Sequence, residues 1–283
     1  MDQYCVVGNP VEHSKSPQIH ARFAALTGQD ITYDKQLVAL DGFTQALHRL
    51  QQSGVKGCNV TVPFKFEAYR CAQTRSSRAE LAQAANTLRF DPEGIYADNT
   101  DGIGLVNDLQ INAGISLTGR NILLVGAGGA AAGVLGPLLG EKPRRVVVAN
   151  RTLQKAEALV AEHRAHHAIA PLLQNTELVA QSLKGLEGDF DVIINATASS
   201  LSGATIPVNA RVLKPGALAY DMMYGPATDG FLKWARQHGA QGRDGLGMLV
   251  EQAAAAFEVW RHVKPPSAKV LVEMHAALQA TAA

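Results

Sequence analysis

The run NILLVG at 121–126, which passes without a break into GAGGAA at 126–131, constrains the fold more than any other stretch of this chain. Its uninterrupted apolar residues suit a strand buried on both faces, the setting of a central strand in a parallel sheet. Parallel strands need crossover connections, and the small residues that follow open a helix. In this GxGxxA pattern Gly126 permits a tight turn, Gly128 lets the backbone approach a pyrophosphate, and Ala131 allows close packing of helix on strand. Ala127, Gly129 and Ala130 complete the turn, and the free amides at the start of the helix face the anion. The next strand, RVVVAN at 145–150, ends about 20 residues beyond the glycines, where an NAD enzyme usually places an acid for the ribose 2′-hydroxyl. Here Asn150, Arg151 and Thr152 stand instead. A carboxylate would repel a 2′-phosphate, whereas a guanidinium grips it through paired charge-assisted hydrogen bonds, with an amide and a hydroxyl as neutral donors. The expected cofactor is NADP. Lys155, four residues after Arg151 in the first turn of a helix, adds a second positive charge on the same side.

Strands of the same kind recur as DVIINAT near 191–197 and ALAYDM near 217–222, with crossover helices expected over 129–139 and 153–163. Together they have the rhythm of a doubly wound, Rossmann-type domain. The first hundred residues also alternate. The β-type runs QYCVVG, ITYDKQLV, GCNVTV, NTLRF and GIYADN are separated by helical stretches, as over 42–53, where Phe43, Ala46, Leu47 and Leu50 recur at helical spacing. After Gly247 the chain turns helical, and Pro265-Pro266 separates MLVEQAAAAFEVWRH from a second helix running to about Ala280. The fold class is α/β, and a length of 283 residues suggests two domains.

A formal net charge of +1 without long runs of one sign leaves no footprint for nucleic acid or an anionic membrane, and no apolar run reaches 18 residues. The expected partners are small molecules, bound by a monomer or homodimer. Cys5, Cys58 and Cys71 are odd in number and form no CxxC pairing, so a reducing cytoplasm is expected rather than a disulfide framework or a thiolate zinc site. The start MDQYCVVGNP carries an acid where a signal peptide needs a basic flank. His163 and His167 have the spacing of a helical metal pair, yet no HExxH-type acid accompanies them, and no metal is expected. Cys58 is expected to be a small hydrophobe inside a strand, not a nucleophile.

Three segments of the first hundred residues concentrate polar groups where the chain should be leaving strands: Ser14-Lys15-Ser16-Pro17, NVTVPFK at 59–65, and Asn86 followed by Asp98-Asn99-Thr100-Asp101. In NVTVPFK a β-type alternation puts Asn59 and Thr61 on one face, and Pro63 ends the ladder, leaving Lys65 at a strand-to-helix turn. In α/β proteins the crevice outside the carboxyl ends of parallel strands is the usual ligand site. These segments, with others, resemble the shikimate dehydrogenase family over essentially the whole chain. The resemblance rests on GNPVEHSKSP at 8–17, NVTVPFK at 59–65, AANTL at 84–88, NTDG at 99–102, GAGGAA at 126–131, NRT at 150–152, DMMYGPATDGF at 221–231 and DGLGMLVEQAA at 244–254. It implies that Lys65 and Asp101 are the catalytic pair and that Ser14 and Ser16 hold a substrate carboxylate. It further implies that Asn59, Thr61, Asn86, Tyr224 and Gln252 orient the substrate, and that Met222, Gly245 and Met248 contact the nicotinamide. The C-terminal helices are then expected to return to the substrate domain, giving 1–102 plus 246–283 for the substrate and 103–245 for NADP.

The implied activity is the reversible NADPH-dependent reduction of 3-dehydroshikimate to shikimate, in aromatic amino acid synthesis. Adding a hydride to a ketone leaves an alkoxide that needs a proton, which Lys65 is suited to supply while Asp101 orients its ammonium. A quinate/shikimate dehydrogenase of broader substrate and cofactor use is the alternative within the class; Arg151 argues against its usual tolerance of NAD. A non-catalytic NADP sensor is the alternative outside it, against which Lys65 and Asp101 speak. The chain departs from the family pattern after DVIINAT, where it reads Ala198-Ser199-Ser200-Leu201-Ser202-Gly203. Thr197 is still expected to donate a hydrogen bond near the cofactor. Ser77, where relatives often have an acid, is given no role.

Overall fold

The computed structural model describes residues 1–197 and 208–282. The first stretch runs β1 (Asp2–Gly8), α1 (Ser16–Thr27), β2 (Ile31–Leu37), α2 (Phe43–Gln52), β3 (Gly57–Val60), α3 (Lys65–Cys71), β4 (Thr74–Arg75), α4 (Ser77–Ala82), β5 (Thr87–Asp91), β6 (Gly94–Asp98) and α5 (Asp101–Asn107). The middle follows with β7 (Asn121–Val125), α6 (Gly129–Gly140), β8 (Arg145–Asn150), α7 (Leu153–Ala165), β9 (Glu177–Ser182), β10 (Phe190–Asn195), β11 (Leu213–Asp221), α8 (Asp229–Gln237) and β12 (Gln241–Arg243). Two helices, α9 (Leu246–Arg261) and α10 (Ser267–Ala282), end the chain. It forms two compact units, Met1–Gly104 with Leu249–Ala283, and Leu105–Met248. Among the described residues no helix is long and apolar enough to cross a membrane.

The first unit's sheet, ordered β2-β1-β3-β5-β6-β4, is mixed. Its strand β1 runs parallel to β2 and β3, whereas β5 is antiparallel to both β3 and β6. Alternation along β1 loads both faces. Cys5 and Val7 pack with Phe43 and Leu47 of α2 and Ala68 of α3, while Tyr4 and Val6 pack with Ala256 and Trp260 of α9. Trp260 also donates its indole N–H to the Leu88 carbonyl at 2.9 Å, tying α9 to β5. The second unit's sheet, β12-β11-β10-β7-β8-β9, is parallel throughout. Its central strands β7, β8 and β10 are almost wholly buried, as uninterrupted apolar runs require.

Beyond the expected elements lie β4, β9 and β12, each at the edge of its sheet. An edge strand pairs on one side only and buries less, so its sequence lacks the apolar run that marks a central one. Strand β3 ends at Val60, before Thr61: the Thr61 N–H still reaches the Val7 carbonyl at 2.9 Å, but the Phe64 N–H turns back onto the Thr61 carbonyl at 3.1 Å. Helix α7 ends at Ala165, so His163 and His167 do not form a helical pair, and His163 is buried with Nδ1 3.0 Å from the Leu159 carbonyl. Cys58 is fully buried in β3, its thiol pushed well up by contact with Cys5 and by burial.

One buried group makes the fold acid-sensitive. His20 of α1 stacks on Tyr33 at 4.2 Å with Trp260 and Phe257 around it, and neither ring nitrogen has a hydrogen-bond partner among the described residues. Burial pushes its pKa down from 6.5 to about 3, outweighing the opposing effect of the nearby Asn59 side chain. Above pH 6.5 the imidazole is neutral in folded and unfolded chains alike. Below it the unfolded chain takes a proton that the folded chain refuses, so stability falls until the pH reaches the folded pKa. The expected loss is about 1.4 kcal/mol per pH unit from this residue. His20→Phe keeps the ring packing, and urea unfolding at pH 7 and pH 5 should show the acid-induced loss reduced by about 2 kcal/mol. An unchanged difference would show that His20 is not held neutral.

Candidate active site

In the first unit the register pairs Asn59 with Thr87 and Thr87 with Asp98, which sets the end of β3, the start of β5 and the end of β6 side by side. The flanking backbone continues the alignment: the Val60 N–H donates to the Asn86 carbonyl at 2.8 Å, and the Asn86 N–H to the Asp98 carbonyl at 3.1 Å. Lys65 is the first residue of α3, at the strand-to-helix turn, and its carbonyl accepts from the Ala85 N–H at 2.8 Å. Residues far apart in sequence are thereby delivered to one place.

Asn86 is the hub. Its Oδ1 accepts from the Thr100 N–H at 2.8 Å, which fixes the amide's orientation because a backbone N–H can only donate. The Nδ2 group is then turned toward Asp101 Oδ1 at 2.9 Å and Gln252 Oε1 at 3.1 Å. The other carboxylate oxygen, Asp101 Oδ2, accepts from Lys65 Nζ at 2.5 Å. The two side chains of this ion pair are 14% and 7% exposed, which removes most of the solvent screening that weakens surface pairs. An ammonium carries three protons, so Lys65 keeps donors for a further acceptor while one is committed to Asp101. Asn59 is locked as firmly: Tyr33 donates its hydroxyl to Asn59 Oδ1 at 2.7 Å, and Asn59 Nδ2 donates to the Asn86 carbonyl and Thr87 Oγ1 at 3.1 Å each. Burial raises the Tyr33 pKa well above its ordinary value, so its hydroxyl stays a donor.

The structure thus brings Asn59, Lys65, Asn86, Asp101 and Gln252 into one bonded network. Ser14 and Ser16 form their own pair before and at the first residue of α1, with Ser14 Oγ donating to Ser16 Oγ at 3.1 Å and accepting from the Ser16 N–H at 3.3 Å. Thr61 is half-buried in the turn after β3. Tyr224 belongs to the second unit, in the loop after β11.

In the second unit β7 runs into Gly126, whose φ of 117° is open to glycine and strained for other residues. A Cβ on Gly126 would also come within 3.2 Å of the Ala196 carbonyl and the Thr197 side chain, whereas one on Gly128 would meet nothing within 4 Å. The turn therefore closes tightly at its first glycine and leaves open space at its second, before the helix α6. Ala131 is fully buried. At the end of β8, Arg151, Thr152 and Lys155 are exposed, and Asn150 Nδ2 donates to the Thr152 carbonyl at 2.9 Å. No acid stands at this strand end, so these residues fit a dinucleotide with a 2′-phosphate.

Sequence reasoning missed the supports beside this turn, at the same carboxyl-terminal edge of the sheet. Asn195 and Asp221, both fully buried, end β10 and β11. Asn195 Oδ1 accepts from the Thr197 N–H at 3.1 Å and hydroxyl at 2.7 Å, while its Nδ2 donates to Asp221 Oδ2 at 3.1 Å. Asp221 Oδ1 accepts from the Met223 N–H at 2.9 Å, and the Met222 N–H donates to the Asn195 carbonyl at 3.0 Å. Their one signal was a polar residue closing each apolar run, DVIIN and ALAYD. The serine-rich loop at 198–203 lies outside the described residues.

Comparison with known proteins covers most of the chain. The family model of the shikimate dehydrogenase substrate binding domain matches residues 6–88, that of shikimate / quinate 5-dehydrogenase residues 109–212, and that of the shikimate 5′-dehydrogenase C-terminal domain residues 245–279. A shikimate dehydrogenase (NADP(+)) of Acidovorax sp. strain JS42 is 62% identical over 281 residues, covering 99% of this chain and 98% of the relative. Among solved structures, an Ael1 enzyme from Pseudomonas putida superposes with a TM-score of 0.86 at 43% identity, covering 96% of this chain and 98% of that one. The shikimate 5-dehydrogenase of Thermus thermophilus in complex with NADP(H) and shikimate has a TM-score of 0.84 at 29% identity, with 98% and 100% covered.

Proposed function

The chain belongs to the shikimate dehydrogenase family, and from that premise we propose how its own residues divide the work of an NADP-dependent enzyme that interconverts 3-dehydroshikimate and shikimate. The unit that contains Lys65 takes the substrate, and the unit that contains the 126–131 turn takes the cofactor. Bound there, the cofactor supplies or accepts a hydride. The amides at the start of α6 take the pyrophosphate, Arg151 grips the 2′-phosphate with Asn150, Thr152 and Lys155 beside it, and Thr197, Met222, Gly245 and Met248 flank the nicotinamide.

Lys65 and Asp101 act as one proton-holding unit. In the reductive direction Lys65 Nζ gives a proton to the substrate oxygen as the carbonyl carbon gains its hydride, and in the oxidative direction the pair takes that proton back. Asp101 holds the ammonium by one oxygen while Asn86 holds Asp101 by the other, so the donor is aimed before the substrate arrives. Ser14 and Ser16, two adjacent hydroxyls, hold the carboxylate; Asn59, Thr61, Asn86 and Gln252 of the same unit orient the ring hydroxyls. The observation that carries this reading is the 2.5 Å contact of Lys65 Nζ with Asp101 Oδ2 inside the Asn86 network.

The test is the absorbance change of reduced nicotinamide when the purified protein meets shikimate or quinate, each with NADP or NAD. Rapid reduction of NADP with shikimate alone is the expected result. Comparable rates with quinate or NAD would move the reading to a broader dehydrogenase, and silence in all four mixtures would reject catalysis.

A further inference from the structure

We propose that Asp108 is a positioning residue for the nicotinamide end of the cofactor site, acting through Arg243 on residues 244–248. This rests on the reading above that Met222, Gly245 and Met248 flank the nicotinamide. Asp108 opens a π-helical turn, Asp108–Asn112, directly after α5, and it is fully buried. Every acceptor position on its carboxylate is engaged. Oδ1 accepts from Arg243 Nη2 at 2.5 Å and from Asn112 Nδ2 at 3.0 Å, and Oδ2 accepts from Arg243 Nε at 2.9 Å and the Tyr220 hydroxyl at 2.7 Å.

Tyr220 and Arg243 are register partners near the ends of β11 and β12, so one carboxylate clamps two adjacent strands where they leave the sheet. The residues that follow are fixed from two sides. A Cβ on Gly247 would lie 1.8 Å from Asp108 Oδ1, which means that the Gly247 backbone rests directly on the carboxylate. On the other side a Cβ on Gly245 would lie 2.4 Å from the Met222 carbonyl oxygen, and the Gly245 N–H donates to the Met223 carbonyl at 2.8 Å. The path of 244–248 against Met222 and Met223 is therefore set by the Asp108 clamp at one end and the β11 loop at the other. A buried ion pair is a poor device for stability alone, because well-packed apolar residues stabilise as much, but a bidentate pair holds an angle and a distance that apolar packing does not.

Asp108→Asn preserves the size of the side chain and removes its charge. The measurements are kcat and KM for NADP and for shikimate, with the affinity for adenosine 2′,5′-bisphosphate, which carries the 2′-phosphate and lacks the nicotinamide. The expected result is a loss of about 10- to 100-fold in kcat/KM for NADP, the size of effect that a misplaced site segment produces. Shikimate KM and bisphosphate affinity should stay within about twofold, since the variant leaves their contacts in place. An unchanged kcat/KM for NADP, or a bisphosphate affinity that falls in step with it, would overturn the proposal, the second by showing a general structural role. If Asp108→Asn does not fold, Tyr220→Phe removes one of the four hydrogen bonds and leaves the ion pair; a smaller loss in the same pattern supports the clamp, and no loss overturns it. Wild-type protein that fails to turn over shikimate with NADP would instead reject the underlying functional reading, whatever the variants do.

Discussion

Replacing Lys65 with alanine will lower kcat by about 10²- to 10⁴-fold, the usual contribution of a positioned acid or base, and leave the affinity for NADP unchanged. The expectation follows from where the side chain sits. Its ammonium is held against Asp101 Oδ2 at 2.5 Å on the unit that carries no part of the 126–131 turn. Truncation removes the proposed proton donor without touching a proposed cofactor contact. It also leaves Asp101 largely buried with Asn86 still bound to its other oxygen, so the carboxylate stays in place but holds nothing. Asp101→Asn tests the partner: it keeps the shape of the side chain and removes the charge that aims the ammonium, and kcat should fall while shikimate KM changes little. Single-turnover kinetics with saturating shikimate and NADP, beside a fluorescence titration of NADP, separate chemistry from binding. Residual turnover equal to that of the wild type in Lys65→Ala would remove Lys65 from the mechanism.

Arg151→Ala is expected to raise KM for NADP by about 10- to 100-fold while leaving kcat with saturating NADP, and any turnover with NAD, nearly unchanged. Arg151 is exposed at the end of β8, where its guanidinium reaches outward without a carboxylate at the strand end to compete for it. A 2′-phosphate bound there exchanges water for charge-assisted bonds, and only the cofactor that carries the phosphate feels the loss. Exposure also makes the interaction salt-sensitive, so the ratio of the NADP and NAD KM values should narrow as ionic strength rises in the wild type and change little in the variant. Equal effects of Arg151→Ala on NADP and NAD would place the 2′-phosphate elsewhere.

Several buried supports in the second unit had at most a faint signature in the sequence. Asn195, Asp221 and Asp108 are fully buried, but as letters they look like surface residues; only the surrounding sheet shows that their acceptors are filled. His20 lies three residues beyond Pro17, outside the GNPVEHSKSP run, and nothing local to it announces a ring buried between Tyr33 and Trp260. The mixed character of the first sheet was equally hidden. Short β-type runs in alternation with helices look the same whether the strands pair parallel or antiparallel, and the β5 to β6 connection had to be seen to be a hairpin.

The 126–131 turn was legible because its requirements are contiguous: a buried strand, a glycine at positive φ, a second glycine with open space and a buried small residue; the next strand's terminus, with an arginine in place of an acid, follows at a fixed spacing. Steric limits on φ and on close approach act over one or two residues, so they are written in the order of the letters. The pairing of Lys65 with Asp101 is of another kind. Thirty-six positions separate them, and no spacing rule brings them together; the family resemblance implied the pair without a distance. Their contact depends on β3, β5 and β6 pairing in one register, with Asn86 bonded to both neighbouring strands. That register is chosen by burial of whole strand faces, a property of the assembled sheet, which is why the fold had to form before Lys65 and Asp101 could be seen to meet.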